Sequence, residues 1–358
     1  MTRYSLAGDI GGTKTILCLM RPRAAAGPPQ PLLPEILYEQ RYASTAFPGL
    51  APMVRAFLES AAAALGHAPE IGSACFGIAG PVVGGTAEVT NVGWSVSAGR
   101  LSSDLGIDCV RLINDFTAVG YGITSLGPAD LVTLQEGAPD PQAPMALIGA
   151  GTGLGEGFLT PLPGGGYRAF PSEGSHADFA PRSREEFELA DFIRERNGLT
   201  RISAERVISG MGIVSIYQFV RSREPERESP AMAGRYRMWE QKIQNSAQEV
   251  DLAAEISGAA MAGADYLCAK AMGIFVGAYG AEAGNLCLKL LPDGGLYIAG
   301  GIAPKILPLL QAGPFLSAFR DKGRLSGRME RFPVRVIVNE RTGLLGAGLC
   351  AAEGNQAD

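Results

Sequence analysis

Histidine is nearly absent from this sequence. Only His67 and His176 occur, and the six cysteines (Cys18, Cys75, Cys109, Cys268, Cys287, Cys350) form no C-x-x-C pair. A Cys/His zinc site needs several such ligands at short spacing, so zinc chemistry of that kind is excluded. Scattered cysteines read instead as free buried thiols in a reducing compartment. An excess of positive charge is missing too. With 31 basic and 36 acidic residues the formal net charge is −5, whereas a nucleic-acid binder needs a basic surface to neutralise phosphates. No long uninterrupted apolar run occurs either. The most hydrophobic stretch, Ala259 to Ala281, carries Asp265 and Lys270, which marks it as a buried helix and not a membrane span. Asp9 interrupts the first apolar run, so no signal peptide is expected. The expectation is a soluble, cytoplasmic protein with no nucleic-acid and no membrane partner.

Glycine is what the chain has in excess: 48 of 358 residues, about twice ordinary usage. The glycines follow no fixed period, so collagen and solenoid repeats are excluded; tight turns and close backbone approach to a ligand remain. A chain of 358 residues with 46% hydrophobic and 19% charged residues folds, and it is longer than one core usually covers. Two domains are expected.

The chain opens with a strand, Tyr4 to Ala7, a turn Gly8-Asp9-Ile10-Gly11-Gly12-Thr13, and an apolar run Ile16 to Met20, which together read as a hairpin with a Gly-rich tip. The Pro- and Ala-rich segment Pro22 to Pro34 reads as a surface loop. Residues 50 to 66 read as an Ala-rich helix, with His67 counted in it, Ser73 to Ile78 as a buried strand, and Cys109 to Ile113 as a strand delivering Asn114-Asp115 at its end. A helix is expected from 116 to about 125. The opening pattern recurs about 140 residues later, where Leu147-Ile148 leads into Gly149-Ala150-Gly151-Thr152-Gly153-Leu154-Gly155. A third strand with a Gly turn is Leu296 to Gly301. Between Arg221 and Pro230 six of ten residues are charged, which reads as a solvated insertion. A long helical region over 250 to 290 and a final strand and small-residue helix complete the chain.

Gly-rich turns cradle phosphates because backbone N–H groups converge where no Cβ intervenes. The two best-known fingerprints are not met: no G-x-G-x-x-G runs from 149 to 158, and no G-x-x-x-x-G-K-[ST] surrounds Lys14. Each turn alone is as readily an ordinary hairpin tip; two of them, each with a threonine (Thr13, Thr152) and the first with Asp9, favour a nucleotide. Asn114-Asp115 sits where α/β strand ends place site residues. Such an Asp is either a helix cap or a carboxylate that takes a proton from an attacking hydroxyl. Glu173 and His176 stand at Glu-x-x-His spacing, but a metal needs further ligands that the sequence does not supply, and paired hydrogen bonding to a polyol is the better reading. Ser203 reads as an N-cap and Glu205 as a first-turn acid.

Taken in order, Gly8 to Thr13, Thr90-Asn91, Ile113 to Ala118, Gly149 to Gly155, Glu173 to Pro181, Ser203 to Val207, Ala299 to Ile302 and Gly343 to Gly346 give the chain a resemblance to the bacterial glucokinase family, within the sugar kinase/actin/Hsp70 ATPase superfamily. The motifs span nearly the whole chain. The resemblance implies an α/β fold of two actin-like (ribonuclease H-like) lobes with an ATP and sugar cleft between them. It implies a small domain of residues 1–124 plus 339–358 and a large one of 125–338 with a charged insertion near 221–247. By resemblance Asp115 is the general base that deprotonates the glucose 6-hydroxyl, and Asn114, Asp115, Glu173, His176 and Glu205 bind the sugar. Gly8, Asp9, Ile10, Gly11, Gly12 and Thr13 match the first phosphate loop, with Asp9 near Mg²⁺, directly or through water. Gly151, Thr152 and Gly153 match the second loop, and Gly300 and Gly301 the adenosine-side turn. The expected activity is ATP-dependent phosphorylation of glucose at the first step of glycolysis, by a homodimer. The cysteine cluster of the related repressor–kinase group is missing, and no helix-turn-helix precedes the first loop, which disfavours a sugar-responsive repressor. An ATPase of the actin or Hsp70 type is disfavoured by Glu173, His176 and Glu205.

Overall fold

The computed structural model describes residues 3–21, 35–245 and 251–354. The loop expected over Pro22 to Pro34 and positions 246–247 of the charged stretch lie outside the described residues. Two compact units result: Met1–Leu131, Gly157–Pro171 and Asn339–Asp358 form the first, Val132–Glu156 and Ser172–Val338 the second. The packing carries the first unit to Leu131, beyond the expected boundary at 124, and includes Gly157–Pro171, which the sequence reading left in the larger domain.

In the first unit β1 (Tyr4–Ile10), β2 (Lys14–Arg21) and β3 (Glu35–Ala43) lead to α1 (Leu50–Leu65) and β4 (Ile71–Ile78). A small sheet of β5 (Val82–Val83), β6 (Thr86–Val89) and β7 (Trp94–Ser97) follows, then α2 (Ala98–Leu105), β8 (Cys109–Asn114) and α3 (Asp115–Ile123). The main sheet runs β3-β2-β1-β4-β8; β1 and β2 are the expected hairpin, and β1, β4 and β8 are parallel. Alternation along the strands fills both faces. Leu6, Leu17, Leu19 and Phe76 face one buried cluster with Met53 and Phe57 of α1. Ala7, Cys18 and Cys75 face another with Leu344, Ala347 and Ala351 near the C-terminus. His67 follows the left-handed Gly66 that ends α1, so it lies outside the helix the sequence reading put it in.

The chain continues through β9 (Leu131–Gln135), β10 (Met145–Ala150), β11 (Leu154–Pro161) and β12 (Tyr167–Ser172) into α4 (Arg184–Arg196), α5 (Gly210–Arg223), α6 (Pro230–Asn245), α7 (Leu252–Met261) and α8 (Tyr266–Leu290). Then come β13 (Gly295–Ala299), α9 (Leu307–Gln311), α10 (Pro314–Arg320), α11 (Ser326–Met329) and β14 (Val334–Ile337), and α12 (Thr342–Gly354) returns to the first unit. In the second unit β10, β13 and β14 pair in parallel, and β9 lies beside β14.

Two sequence expectations change. The Ala259 to Ala281 stretch is not one helix. It breaks before Asp265, whose carboxylate accepts from the Cys268 N–H at 2.8 Å as the N-cap of α8, and α7 and α8 bend by 101° there. Among the described residues no single helix is long and apolar enough to cross a membrane. The charged stretch after Arg221 is only partly solvated: Arg223, Glu226 and Arg227 are exposed, while Glu224 and Glu228 are half-buried against other helices. Glu228 accepts from Tyr217 Oη at 2.8 Å and from Arg221 Nε at 2.6 Å, Glu224 meets Lys270 Nζ at 2.5 Å, and Arg227 lies 3.6 Å over the Tyr266 ring. Charges become packing groups because tyrosines and a lysine from other helices surround them.

Candidate active site

In the first unit three parallel strands end on one edge, with Ile10, Ile78 and Asn114 in register. Strand ends of this kind are where α/β sheets hold ligands. The turn after β1 is tight: the Gly11 N–H donates to the Lys14 carbonyl at 3.0 Å. It is braced by Ser44, whose Oγ donates to the Gly11 carbonyl at 2.7 Å and whose N–H donates to the Thr13 carbonyl at 3.0 Å. A Cβ on Gly12 would stand 2.5 Å from Asn91 Cβ, so only glycine lets the turn lie against Asn91. Asp9 is half-buried, and burial holds its carboxyl above the usual range, offset in part by Lys14.

The end of β8 divides two roles between neighbours. Asn114, not Asp115, caps α3. Its Oδ1 accepts from the Phe116 N–H at 2.9 Å and the Thr117 N–H at 3.2 Å, and its Nδ2 donates to the Gly80 carbonyl at 3.0 Å. Asp115 is the first residue of α3 and is half-buried. Burial raises its pKa to about 6 against the lowering effect of the Phe116 N–H, and the negative field of Asp9 adds to the rise. A carboxyl poised near 6 accepts a proton near neutral pH more readily than an ordinary Asp.

In the second unit the turn after β10 is closed by the Gly151 N–H donating to Gly153 at 2.8 Å and anchored by the Gly210 N–H donating to Gly151 at 2.9 Å. Glu205 sits against it: its Oε2 accepts from the Leu154 N–H at 3.0 Å and would lie 2.5 Å from a Cβ on Gly153. Ser203 does not cap with its side chain as expected, because Ala204–Arg206 is one turn of 3₁₀ helix. That turn is tied to the Glu173 segment by the Ala204 N–H donating to the Ala177 carbonyl at 2.9 Å. His176 Nε2 then lies 3.7 Å from Glu173 Oε2, with both side chains exposed, while Ser175 between them is buried. Arg201 Nη1 holds the segment through the His176 carbonyl at 2.8 Å. At the end of β13, Gly300 adopts φ +81°, and the Ile302 N–H donates to the Ala150 carbonyl at 3.2 Å. The second Gly turn and the Gly300-Gly301 turn therefore share one edge.

Glu156 was not foreseen. It is 1% exposed, its Oε1 has no hydrogen-bond partner, and burial together with Glu282 raises its pKa to about 7. A Cβ on Gly174 would run into its carboxylate. Ser44 and Arg201 were also missed, since neither lies in a recognisable motif. None of the six cysteines forms a disulfide. Among the described residues no group of three or more His, Cys, Asp or Glu side chains forms a metal cage.

The sequence profile described as Glucokinase matches residues 6–354. A protein named Glucokinase from Synechocystis sp. (strain ATCC 27184 / PCC 6803 / Kazusa) is 52% identical over 348 residues, covering 97% of this chain and 98% of the relative. Among solved structures, a glucokinase from an Antarctic psychrotroph superposes with a TM-score of 0.79 at 27% identity, covering 99% of this chain and 100% of that one. A ROK family glucokinase from Streptomyces griseus, solved in complex with glucose and AMPPNP, superposes with a TM-score of 0.60 at 20% identity over 98% of this chain and 100% of its own, a likeness of fold.

Proposed function

The chain belongs to the glucokinase family, and from that premise we infer that it transfers the γ-phosphoryl group of ATP to the 6-hydroxyl of glucose, giving glucose 6-phosphate and ADP. Each unit is read as one actin-like lobe. Asp115 takes the proton of the attacking hydroxyl, and the observation that carries this role is its placement: half-buried at the end of a parallel strand, capped by its neighbour and not itself the cap, with its pKa raised to about 6. Because Asn114 is engaged with α3 and Gly80, one remaining amide N–H is what it offers the sugar. Glu173 and His176 present exposed polar groups for other sugar hydroxyls. Glu205 gives one oxygen to the second Gly turn and keeps the other for sugar.

The turns at Gly8–Thr13 and Gly151–Gly153, with Gly300-Gly301, are read as the nucleotide loops. With no protein metal cage among the described residues, Mg²⁺ fits as an ion carried by the phosphates and oriented by Asp9, the half-buried acid of the first turn. When bound it neutralises phosphate oxygens; the protein's part is to orient the sugar and to accept its proton. The reading extends to a cytoplasmic homodimer at the first step of glycolysis.

Release of ADP from Mg-ATP should require a sugar and be fastest with glucose among glucose, fructose, mannose and N-acetylglucosamine. Asp115→Asn should lower turnover by at least 10²-fold, toward the 10²–10⁴-fold typical of general-base assistance. Release without sugar would reassign the chain to the ATPases, and an Asp115→Asn variant with unchanged kcat would remove the base.

A further inference from the structure

The second unit has an open pocket of about 730 Å³ that the Gly turns explain only in part. Gly151, Thr152 and Gly301 line it. A Cβ built on Gly151 or Gly301 meets nothing within 4 Å, and neither glycine has a left-handed backbone. The protein's own packing therefore does not call for glycine at either position; what their lack of a side chain preserves is open volume. The rest of the lining is largely apolar and includes Met211, Trp239 and Met261, with Lys305 adding a cation. Trp239 is half-buried, and its ring packs at 5.7 Å from that of Tyr236 in the same helix. That helix, α6, lies in the 221–247 stretch expected as a charged insertion.

Backbone turns suited to anions, an apolar wall and one partly exposed indole are the complementary surface of a nucleoside phosphate, and the volume is in the range that holds one. We propose that Trp239 is the surface on which the base of the phosphoryl donor stacks, which makes α6 the donor-recognition element of this enzyme. This rests on the kinase reading above and names the group that selects the nucleotide. An indole offers its face to any base but gains most from a large purine, so ATP and GTP are favoured over CTP and UTP, and the preference resides in Trp239.

The sequence contains two tryptophans, Trp94 and Trp239, so emission tests the idea directly. The ADP-dependent change in emission should appear in wild type and in Trp94→Phe and vanish in Trp239→Phe, while pyrophosphate, which has no base, leaves emission unchanged. Trp239→Ala should raise the KM for ATP by about 5- to 150-fold, the size of one base–aromatic stack, with the KM for glucose unchanged. Trp239→Phe should restore most of the affinity because it keeps an aromatic face, and the unmoved KM for glucose in Trp239→Ala is what a purely structural role would not give. ADP that inhibits turnover without altering Trp239 emission would overturn the proposal, as would an unchanged KM for ATP in Trp239→Ala. Should Trp239→Ala fail to fold, the emission titrations decide. A protein whose Trp239 responds to ADP but that never phosphorylates glucose would sink the kinase reading and leave the base platform standing.

Discussion

The two Gly-rich turns look alike in sequence and are held differently. The first is braced by a neutral hydroxyl, Ser44, and lies against Asn91; the second is braced by a carboxylate, Glu205, and by backbone from Gly210. A repeated G-x-G-T-like string thus encodes a backbone shape, while the group that fixes the shape comes from elsewhere in the chain. The comparison also separates two reasons for glycine. Gly12, Gly153 and Gly300 are glycine because protein atoms occupy the place of a Cβ, whereas Gly151 and Gly301 face empty space.

The sharpest way to break that distinction is substitution by alanine. Gly300→Ala combines a left-handed φ of +81° with a clash on the Ala150 carbonyl and should cost more than about 3 kcal/mol in urea unfolding. Gly151→Ala should leave the unfolding midpoint within experimental error and act instead on the KM for ATP. Equal stability losses in the two variants would show that the distinction is not real.

Next comes pH. The turns differ in the carboxyls beside them, and behind the second one Glu156 has a folded pKa raised from 4.5 to about 7, by burial first and by Glu282 second. The folded state therefore holds this proton more tightly than the unfolded chain does. Its contribution to stability is full below about pH 4.5 and is lost as pH rises through about 7, a swing of up to about 3 kcal/mol. Glu156→Gln should flatten that fall in chemical denaturation between pH 5 and 8; an unaltered slope would assign it to other groups.

The smallest effects compare the two braces. Glu205→Ala leaves the Leu154 N–H without its charged acceptor and should cost about 1–3 kcal/mol, against about 1 kcal/mol for Ser44→Ala. Glu205→Gln keeps an acceptor for Leu154, so its stability should stay near wild type while the KM for glucose rises. A KM that does not move would confine Glu205 to the turn.

The hairpin of β1 and β2, the parallel strands with their terminal Gly and Asn-Asp steps, and α1 were all legible, because period-two apolar runs ending in glycine are local signals. The braces were not. Ser44 acts across 33 residues and Glu205 across 51, with nothing in the intervening sequence to pair them. Which of Asn114 and Asp115 would cap α3 was undecidable from two adjacent acceptors; the φ of −63° and ψ of 149° at Asn114 decide it. The charge-rich segment after Arg221 misled for a related reason. Its partners Tyr217, Tyr236, Tyr266 and Lys270 are spread over three helices, and composition is blind to partners.

The closing helix bears on how the protein is made. α12 supplies Leu344, Ala347 and Ala351 to one face of the first sheet, Ser73 Oγ donates to the Ala351 carbonyl at 2.8 Å, and Gly346 abuts the Ala118 carbonyl. One face of the N-terminal sheet is therefore completed by residues synthesised long after it, Ala351 standing 278 positions beyond Ser73. At roughly 5–20 residues per second, β1 and β2 wait tens of seconds with Ala7, Cys18 and Cys75 uncovered, while everything needed for the second unit has already been synthesised. The nascent chain therefore carries an uncovered apolar sheet face until α12 has been made.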